Sequence, residues 1–406
     1  MIFLFAFALM QPPSCVDVPE CRRLATEAAA RGEAELFHDL AWRAVQKGKP
    51  NDPELMLLLA RAQSLSGRPG DALVMLTRLA DLGAGRDVSA DPDFANVRAL
   101  SGWPELEARL AGKAPPAPAA PSAPAPSAPG APSAPSAPAA PGDFTFSAPG
   151  LEPFALLHDA VSRRFVVGDR RANRLLVLDE VSHNVVNFVG AASAGFLGQI
   201  TGFTIDVRRG DLWVVSSEGE DAAAVSMLHK LQLVSGRRLL EARVSERAGP
   251  VRFTAVAVSP DGTVYALDAR EPRLFRLRPG ARTLDVVMRL DAQAPAALAA
   301  ADDRTLYVAT AAGLARIDLA ARSASPVKSP EHLGGFESLA WRAGALHGVE
   351  RLAGSYLVVR LRLGPSGTRV QPRQILAASA TPIVGTVADG SFFYLSADSL
   401  RRVSLR

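Results

Sequence analysis

The sequence predicts a multidomain protein of the α plus all-β class, with an N-terminal helical domain, a Pro/Ala linker and a six-bladed β-propeller. Three patterns carry this prediction. Apolar residues recur at helical spacing up to residue 112, Pro, Ala and Ser fill residues 113–142, and short alternating runs repeat about every 45 residues over 143–406. A chain of 406 residues is also long enough to form two or more domains.

The first element, residues 1–14, contains the apolar run MIFLFAFALM. The run is too short to span a bilayer and is typical of the hydrophobic part of an export signal. The basic residues that usually precede such a run are missing, and a buried strand would give the same pattern. We therefore expect an extracytoplasmic protein, periplasmic or secreted, without a transmembrane span.

The two cysteines, Cys15 and Cys21, follow this run directly. A disulfide between them suits an exported protein. Two alternatives stay open. One is a lipid anchor on Cys15, for which Pro12 is unfavourable because an apolar residue is expected there; the other is a pair of free thiols in a cytosolic protein.

Residues 15–112 are predicted to form a helical domain. The segment PELMLLLARAQSLSGRPGDALVMLTRLADLG resembles a tetratricopeptide (TPR) repeat, and an earlier helix pair lies about 34 residues upstream, the length of one such repeat. The residues that match the packing positions of this repeat are Leu59, Ala60, Gly67, Ala72 and Leu76. The resemblance implies that the helices bind a protein partner, and a plain helical bundle is the alternative.

Residues 113–142 form a Pro/Ala/Ser tract without the apolar residues that a core needs. Such a composition favours extended polyproline II structure and a semi-rigid spacer. A recognition motif is the alternative, although beyond its first residue, Lys113, the tract lacks the Arg or Lys typical of such motifs. We therefore expect a linker.

Residues 143–406 are predicted to form the propeller. The stretch RFTAVAVSPDGTVYALDARE (252–271) contains two alternating runs around an Asp-Gly turn, which is typical of a β-hairpin. Its second run recurs along the chain, with equivalent residues at Val166, Trp213, Tyr265, Tyr307, His347 and Phe393. Repeats of this length with several short strands each indicate a propeller rather than a sandwich.

The sixth repeat ends at LRRVSLR, which would be its third strand. The alternating segment DFTFS, residues 143–147, belongs to no other repeat. We therefore expect residues 143–147 to supply the closing strand of blade six, since closure removes an exposed sheet edge.

The candidate binding residues lie where the innermost strands begin and where the second strands end, because these positions surround one mouth of a propeller channel. Basic residues are missing at these positions, whereas acidic residues are frequent. The acidic residues are Glu152, Asp169, Asp268, Glu337 and Glu350. We expect a negative mouth that takes a small cationic or amine-bearing ligand. For Asp169 and Asp268 the alternative is that they cap backbone N–H groups in turns.

Residues 151–406 resemble the senescence-marker-protein/gluconolactonase superfamily and its NHL-repeat relatives, through the runs SPDGTVYALD and DVRRGDLWVV. The resemblance implies a divalent metal held by Glu, Asn and Asp, and hydrolysis of lactones. The Glu would fall on Glu152, the Asn on Thr254 and the Asp on Ala296, so two of the three ligands are replaced. We therefore expect no resident cofactor, with a bound divalent cation as the alternative.

The remaining patterns favour a binding protein. The chain lacks the G-x-S-x-G, H-E-x-x-H and P-loop motifs, and its scattered arginines and net charge of +4 argue against nucleic acid as a partner. We expect a non-enzymatic extracytoplasmic binding or scaffold protein. The alternative is a divergent metal-dependent hydrolase of lactones or esters, so the question of enzymatic activity stays open.

Overall fold

The computed structural model describes residues 15–49, 51–100, 102–110, 143–180, 182–190, 195–219, 223–291, 295–311, 313–333, 335–396 and 398–405. The predicted export segment, 1–14, and the whole of the predicted linker, 113–142, lie outside these residues. The chain divides into two compact units, Met1–Pro132 and Ser133–Arg406.

The first unit is helical, as predicted. Its helices are α1 (Val18–Ala30), α2 (Ala34–Lys47), α3 (Pro53–Leu65), α4 (Pro69–Asp81), α5 (Ala95–Arg98) and α6 (Trp103–Leu110). Asp17 and Asp52 start α1 and α3 as N-caps, because each carboxylate accepts a backbone N–H of the first turn. Helices α1 to α4 each pack against the next helix in the chain. The assignment to TPR repeats stays a prediction.

Cys15 and Cys21 form a disulfide at the start of α1, with their Cα atoms 5.1 Å apart. Because the Cys15 sulfur is bonded to Cys21, neither the lipid anchor on Cys15 nor the pair of free thiols is supported. None of the helices within the described ranges is long and apolar enough to cross a membrane.

The second unit consists of four-stranded blades that follow one another along the chain, with antiparallel pairing inside each blade. A short parallel contact of Thr283 and Leu284 with Arg243 and Val244 joins the outer strands of the second and third blades. Blade one contains β2 (Pro153–Asp159), β3 (Arg164–Asp169), β4 (Arg174–Asp179) and β5 (Val185–Gly190); blade two contains β6 (Gln199–Asp206), β7 (Asp211–Glu218), β8 (Val225–Gln232) and β9 (Arg238–Val244). Blade three contains β10 (Phe253–Val258), β11 (Val264–Asp268), β12 (Arg273–Leu277) and β13 (Thr283–Arg289).

The later blades repeat this order. Blade four contains β14 (Ala297–Ala300), β15 (Thr305–Thr310), β16 (Gly313–Asp318) and β17 (Ser323–Pro326); blade five contains β18 (Gly335–Arg342), β19 (Ala345–Leu352), β20 (Ser355–Arg362) and β21 (Gln374–Ser379). Blade six contains β22 (Ile383–Ala388), β23 (Ser391–Ser396), β24 (Ser399–Ser404) and β1 (Phe144–Thr145). The six-bladed prediction is confirmed.

Blade six joins the two ends of the domain. Strand β1 pairs antiparallel with β24, with Phe144 opposite Leu400 and Thr145 opposite Ser399. The Phe146 N–H donates to the Asp398 carbonyl at 3.0 Å, and the Phe146 ring is buried. The segment 143–147 therefore lies where the sequence placed the closing strand.

The Asp-Gly turn of blade three has a structural role. Gly262 has φ +89°, a backbone conformation that residues with a Cβ atom rarely adopt, so the turn favours glycine there. The Asp261 side chain accepts the Thr263 N–H, and the Asp261 carbonyl accepts a hydrogen bond from Arg209 of blade two. The turn thus ties neighbouring blades together, while apolar side chains fill the space between their sheets.

Candidate functional site

The first strands of all six blades line a central channel with a cavity volume of about 340 Å³. Small apolar residues are frequent in its wall: Ala155, Gly202, Ala255, Ala297 and Ala340. Of the five acidic candidates, the described wall includes Glu337 alone, about half exposed and 3.6 Å from the Arg351 guanidinium.

A β-bulge at the start of the inner strands decides which residue stands at the channel mouth. In blade one, Pro153 pairs with Asp169 and Ala155 with Gly168, so Phe154 is the unpaired residue. The same interruption leaves Thr201, Thr254 and Glu337 unpaired in blades two, three and five. Phe154 is therefore the blade-one equivalent of Thr254. Glu152, on which the resemblance places the family's Glu, lies two residues before this bulge.

The residues at the mouth do not fit the metal that the family resemblance implies. Phe154, Thr254 and Ala296 supply no carboxylate, and Glu337 supplies a single one. Calcium needs six or more oxygen ligands, and zinc needs several nitrogen, sulfur or oxygen donors. Throughout the part of the chain that the structure describes, no group of three or more His, Cys, Asp or Glu residues could hold a metal ion.

Asp169 and Asp268 occupy equivalent positions at the ends of their second strands, and both are buried. Asp169 Oδ2 lies 3.0 Å from Arg174 Nε, and Asp268 Oδ2 lies 2.7 Å from Arg273 Nη2. Asp268 also accepts the backbone N–H groups of Arg252 and Arg270. This geometry agrees with the alternative role in which these residues cap backbone N–H groups.

Glu350 holds the same position in blade five and is also buried, with Oε2 2.7 Å from Arg373 Nη1. In contrast to the prediction, Asp169, Asp268 and Glu350 are therefore not free to meet a ligand at the mouth. Glu152 is exposed but lines neither the channel nor the cavity beside it.

Ser216 takes this position in blade two and forms a serine–histidine contact. Its Oγ lies 2.9 Å from His229 Nε2, and both residues are 0% exposed. Burial lowers the pKa of His229 to about 4, so the imidazole is neutral at physiological pH. A nucleophile and its base must reach a substrate, and this pair is sealed inside the blade. It is a structural contact.

A second cavity of about 600 Å³ opens beside the channel mouth at blades one to three. Three arginines line it, Arg170, Arg252 and Arg270, together with Phe154, Gln199, Ile200, Thr201, Thr254 and Ala269. We call this cavity the arginine pocket. The prediction of a mouth without basic residues is wrong on this side. The signal was present in the sequence, because Arg170 follows Asp169 directly and Arg270 follows Asp268 by two residues.

The sequence matches no known family model and no curated protein. Solved structures with a similar fold include the major allergen Mala s 1 of Malassezia sympodialis, at 15% identity and a TM-score of 0.54, covering 66% of this chain and 97% of the allergen. A gluconolactonase from Xanthomonas campestris is similar at 16% identity and a TM-score of 0.50, covering 65% of this chain and 89% of the enzyme. The propeller unit has the fold of these proteins. The resemblance to gluconolactonase-like propellers is thus confirmed for the fold, while identities this low assign no activity.

Proposed function

We propose that the protein is a non-enzymatic binding or scaffold protein whose propeller mouth holds a ligand. The observation that carries this proposal is the set of residues at the inner-strand bulges and at the equivalent position of blade four. Phe154, Thr201, Thr254 and Ala296 supply no carboxylate, and Glu337 alone makes neither a metal-ligand set nor an acid–base pair. The acidic residues next to them are neutralised inside the blades by arginines.

The protein acts outside the cytoplasm in this proposal, in the periplasm or as a secreted protein. The disulfide between Cys15 and Cys21 supports an oxidising compartment. The apolar run within residues 1–14 supports export, since it matches the hydrophobic part of an export signal.

The helical unit takes a protein partner in the same proposal. Residues 113–142 would act as a semi-rigid spacer, so that one chain could engage two partners at once. Cross-linking of the full chain tests this role: cross-links to a partner should concentrate in residues 15–110, and cross-links confined to the propeller would contradict it.

A divergent hydrolase is the second candidate, and Glu337 is the observation that favours it. This carboxylate is partly exposed and stands at an inner-strand bulge in the channel wall. A hydrolase would use it as a metal ligand or as a general base.

Metal titration and a lactone-hydrolysis assay on the full chain separate the two candidates. We expect neither stoichiometric binding of Ca²⁺, Zn²⁺ or Mn²⁺ nor turnover. Glu218→Gln is the matched control for Glu337→Gln, because Glu218 is an exposed glutamate at the same end of blade two and outside both cavities. Turnover that Glu337→Gln abolishes and Glu218→Gln retains would overturn the non-enzymatic proposal.

A further inference from the structure

The arginine pocket is held together by one buried carboxylate. Asp268 accepts the Arg252 N–H at 3.1 Å and the Arg270 N–H at 3.0 Å. Its other oxygen is bound by Arg273 at 2.7 and 2.9 Å. The backbones of these two pocket arginines, which lie just before β10 and just after β11 of blade three, are thereby fixed before any ligand arrives.

The third arginine is fixed in blade one. The Arg170 N–H donates to the Glu152 carbonyl at 2.9 Å, and its guanidinium lies over the Phe154 ring, 5.9 Å from the ring centroid. Phe154 is itself the bulge residue of this blade, so the bulge supplies an aromatic platform for an arginine.

The positive charge of the pocket is poorly compensated. Among the described residues, Arg170 and Arg252 have no carboxylate partner within ion-pair distance. Arg270 lies 3.2 Å from Glu271, but the same carboxylate is shared with Arg273 at 3.6 Å and Arg289 at 3.7 Å. Guanidinium groups gathered around one cavity repel one another, and an anion in the cavity would relieve this repulsion.

The other residues of the pocket suit a small organic molecule. A volume of about 600 Å³ lies within the range of roughly 300–1,000 Å³ that is typical of small-molecule sites. The Thr201 and Thr254 hydroxyls make only long contacts, of 3.4 to 3.5 Å, and can turn to a ligand. Phe154 and Ile200 provide an apolar wall.

We propose that the arginine pocket binds a small organic anion carrying two or more carboxylate or phosphate groups. The planar fork of each guanidinium matches the paired oxygens of either group, and three such forks around one cavity select for more than one negative charge. This ligand has the opposite charge to the amine that the sequence suggested. The inference rests on the proposed function only in placing a ligand at the propeller mouth.

Calorimetric titration of the full chain with citrate, and separately with inorganic phosphate, at low ionic strength tests this site. We expect Arg252→Gln and Arg170→Gln each to weaken binding of the preferred probe by about tenfold or more, because each removes a charge-assisted hydrogen bond. Arg171→Gln is the matched control: Arg171 is exposed and adjacent to Arg170 but does not line the pocket. It should keep the affinity within about twofold.

The outcomes distinguish a carboxylate ligand from a phosphate ligand. They also distinguish failure of the anion site from failure of the non-enzymatic proposal. Tighter binding of citrate supports a polycarboxylate, and tighter binding of phosphate supports a phosphate ester. Binding of neither probe, or an equal loss in Arg171→Gln and Arg252→Gln, would overturn the anion site and leave the non-enzymatic proposal standing. Lactone turnover that depends on Glu337 would instead overturn the non-enzymatic proposal and leave the anion site standing.

Discussion

The closing strand of blade six should contribute strongly to stability, and Phe146→Ala measures that contribution. Phe146 is 8% exposed and packs in one apolar cluster with Phe165, Phe393 and Leu400. Phe→Ala substitutions in cores cost about 3–5 kcal/mol, and we expect the lower end, about 3 kcal/mol, because Phe146 lies beside a sheet edge. Each kcal/mol lowers the melting temperature of a domain of this size by roughly 2–4 °C, which gives a shift of about 6–12 °C.

Calorimetry of the full chain can follow the propeller transition in this variant. Thr145→Ala and Ser147→Ala are the matched controls, since both side chains are exposed in the same segment and should change stability by less than about 0.5 kcal/mol. Deleting residues 143–147 should cost more than Phe146→Ala, because the pairing of β1 with β24 is lost as well. A melting temperature for Phe146→Ala within about 1 °C of the wild type would refute the reasoning.

Two further predictions concern buried polar groups. Asp268→Asn should lower the free energy of unfolding, measured in urea, by about 3–5 kcal/mol, because the Arg273 side chain, which is 5% exposed, loses its carboxylate partner. The control is Asp285→Asn, which should have little effect because the ion pair of Asp285 with Arg278 is exposed. Burial lowers the pKa of His229 from 6.5 to about 4, so the unfolded chain binds a proton between these pH values while the folded chain does not. Stability should therefore fall by about 3 kcal/mol as the pH drops from 6.5 to 4 on account of this residue, and a pH series of urea melts should show a smaller fall for His229→Gln.

The blades could be predicted from the sequence because their determinants are local. Alternating apolar residues and short polar turns, with Asp-Gly or Arg-Gly in blades two, three and six, fix each hairpin within a few residues, so Tyr265 and its five equivalents all lie in second strands. The closing strand could be predicted for a related reason: an alternating segment at 143–147 had no other partner. These inferences needed only periodicity and a count of strands.

The site could not be predicted in the same way because it depends on register and on contacts between blades. The bulge in β2 lies directly after the first pair of the strand, so the period-2 pattern that follows does not reveal that Phe154 is the unpaired residue. The pocket arginines come from blades one and three, and the packing of both blades against blade two brings them together. The burial of Asp268 had a readable signal, because Arg273 follows it by five residues and lies directly opposite across the hairpin.

The end of the second strand has a structural role in every blade where its contacts are described. Asp169 and Asp268 use an arginine directly opposite, whereas Leu357 lies opposite Glu350, which binds Arg373 from the loop that follows β20 instead. Ser216 contacts a buried histidine, and the Thr310 hydroxyl donates to the Gly313 carbonyl at 3.2 Å. Substitution at this position should therefore destabilise the hairpin rather than change which ligand the protein binds.

The neighbouring residue Arg252 is different. Its backbone N–H is bound by Asp268, and the residue also lines the arginine pocket. Substitution at such a residue should therefore change what the proposed arginine pocket binds without loss of the blade.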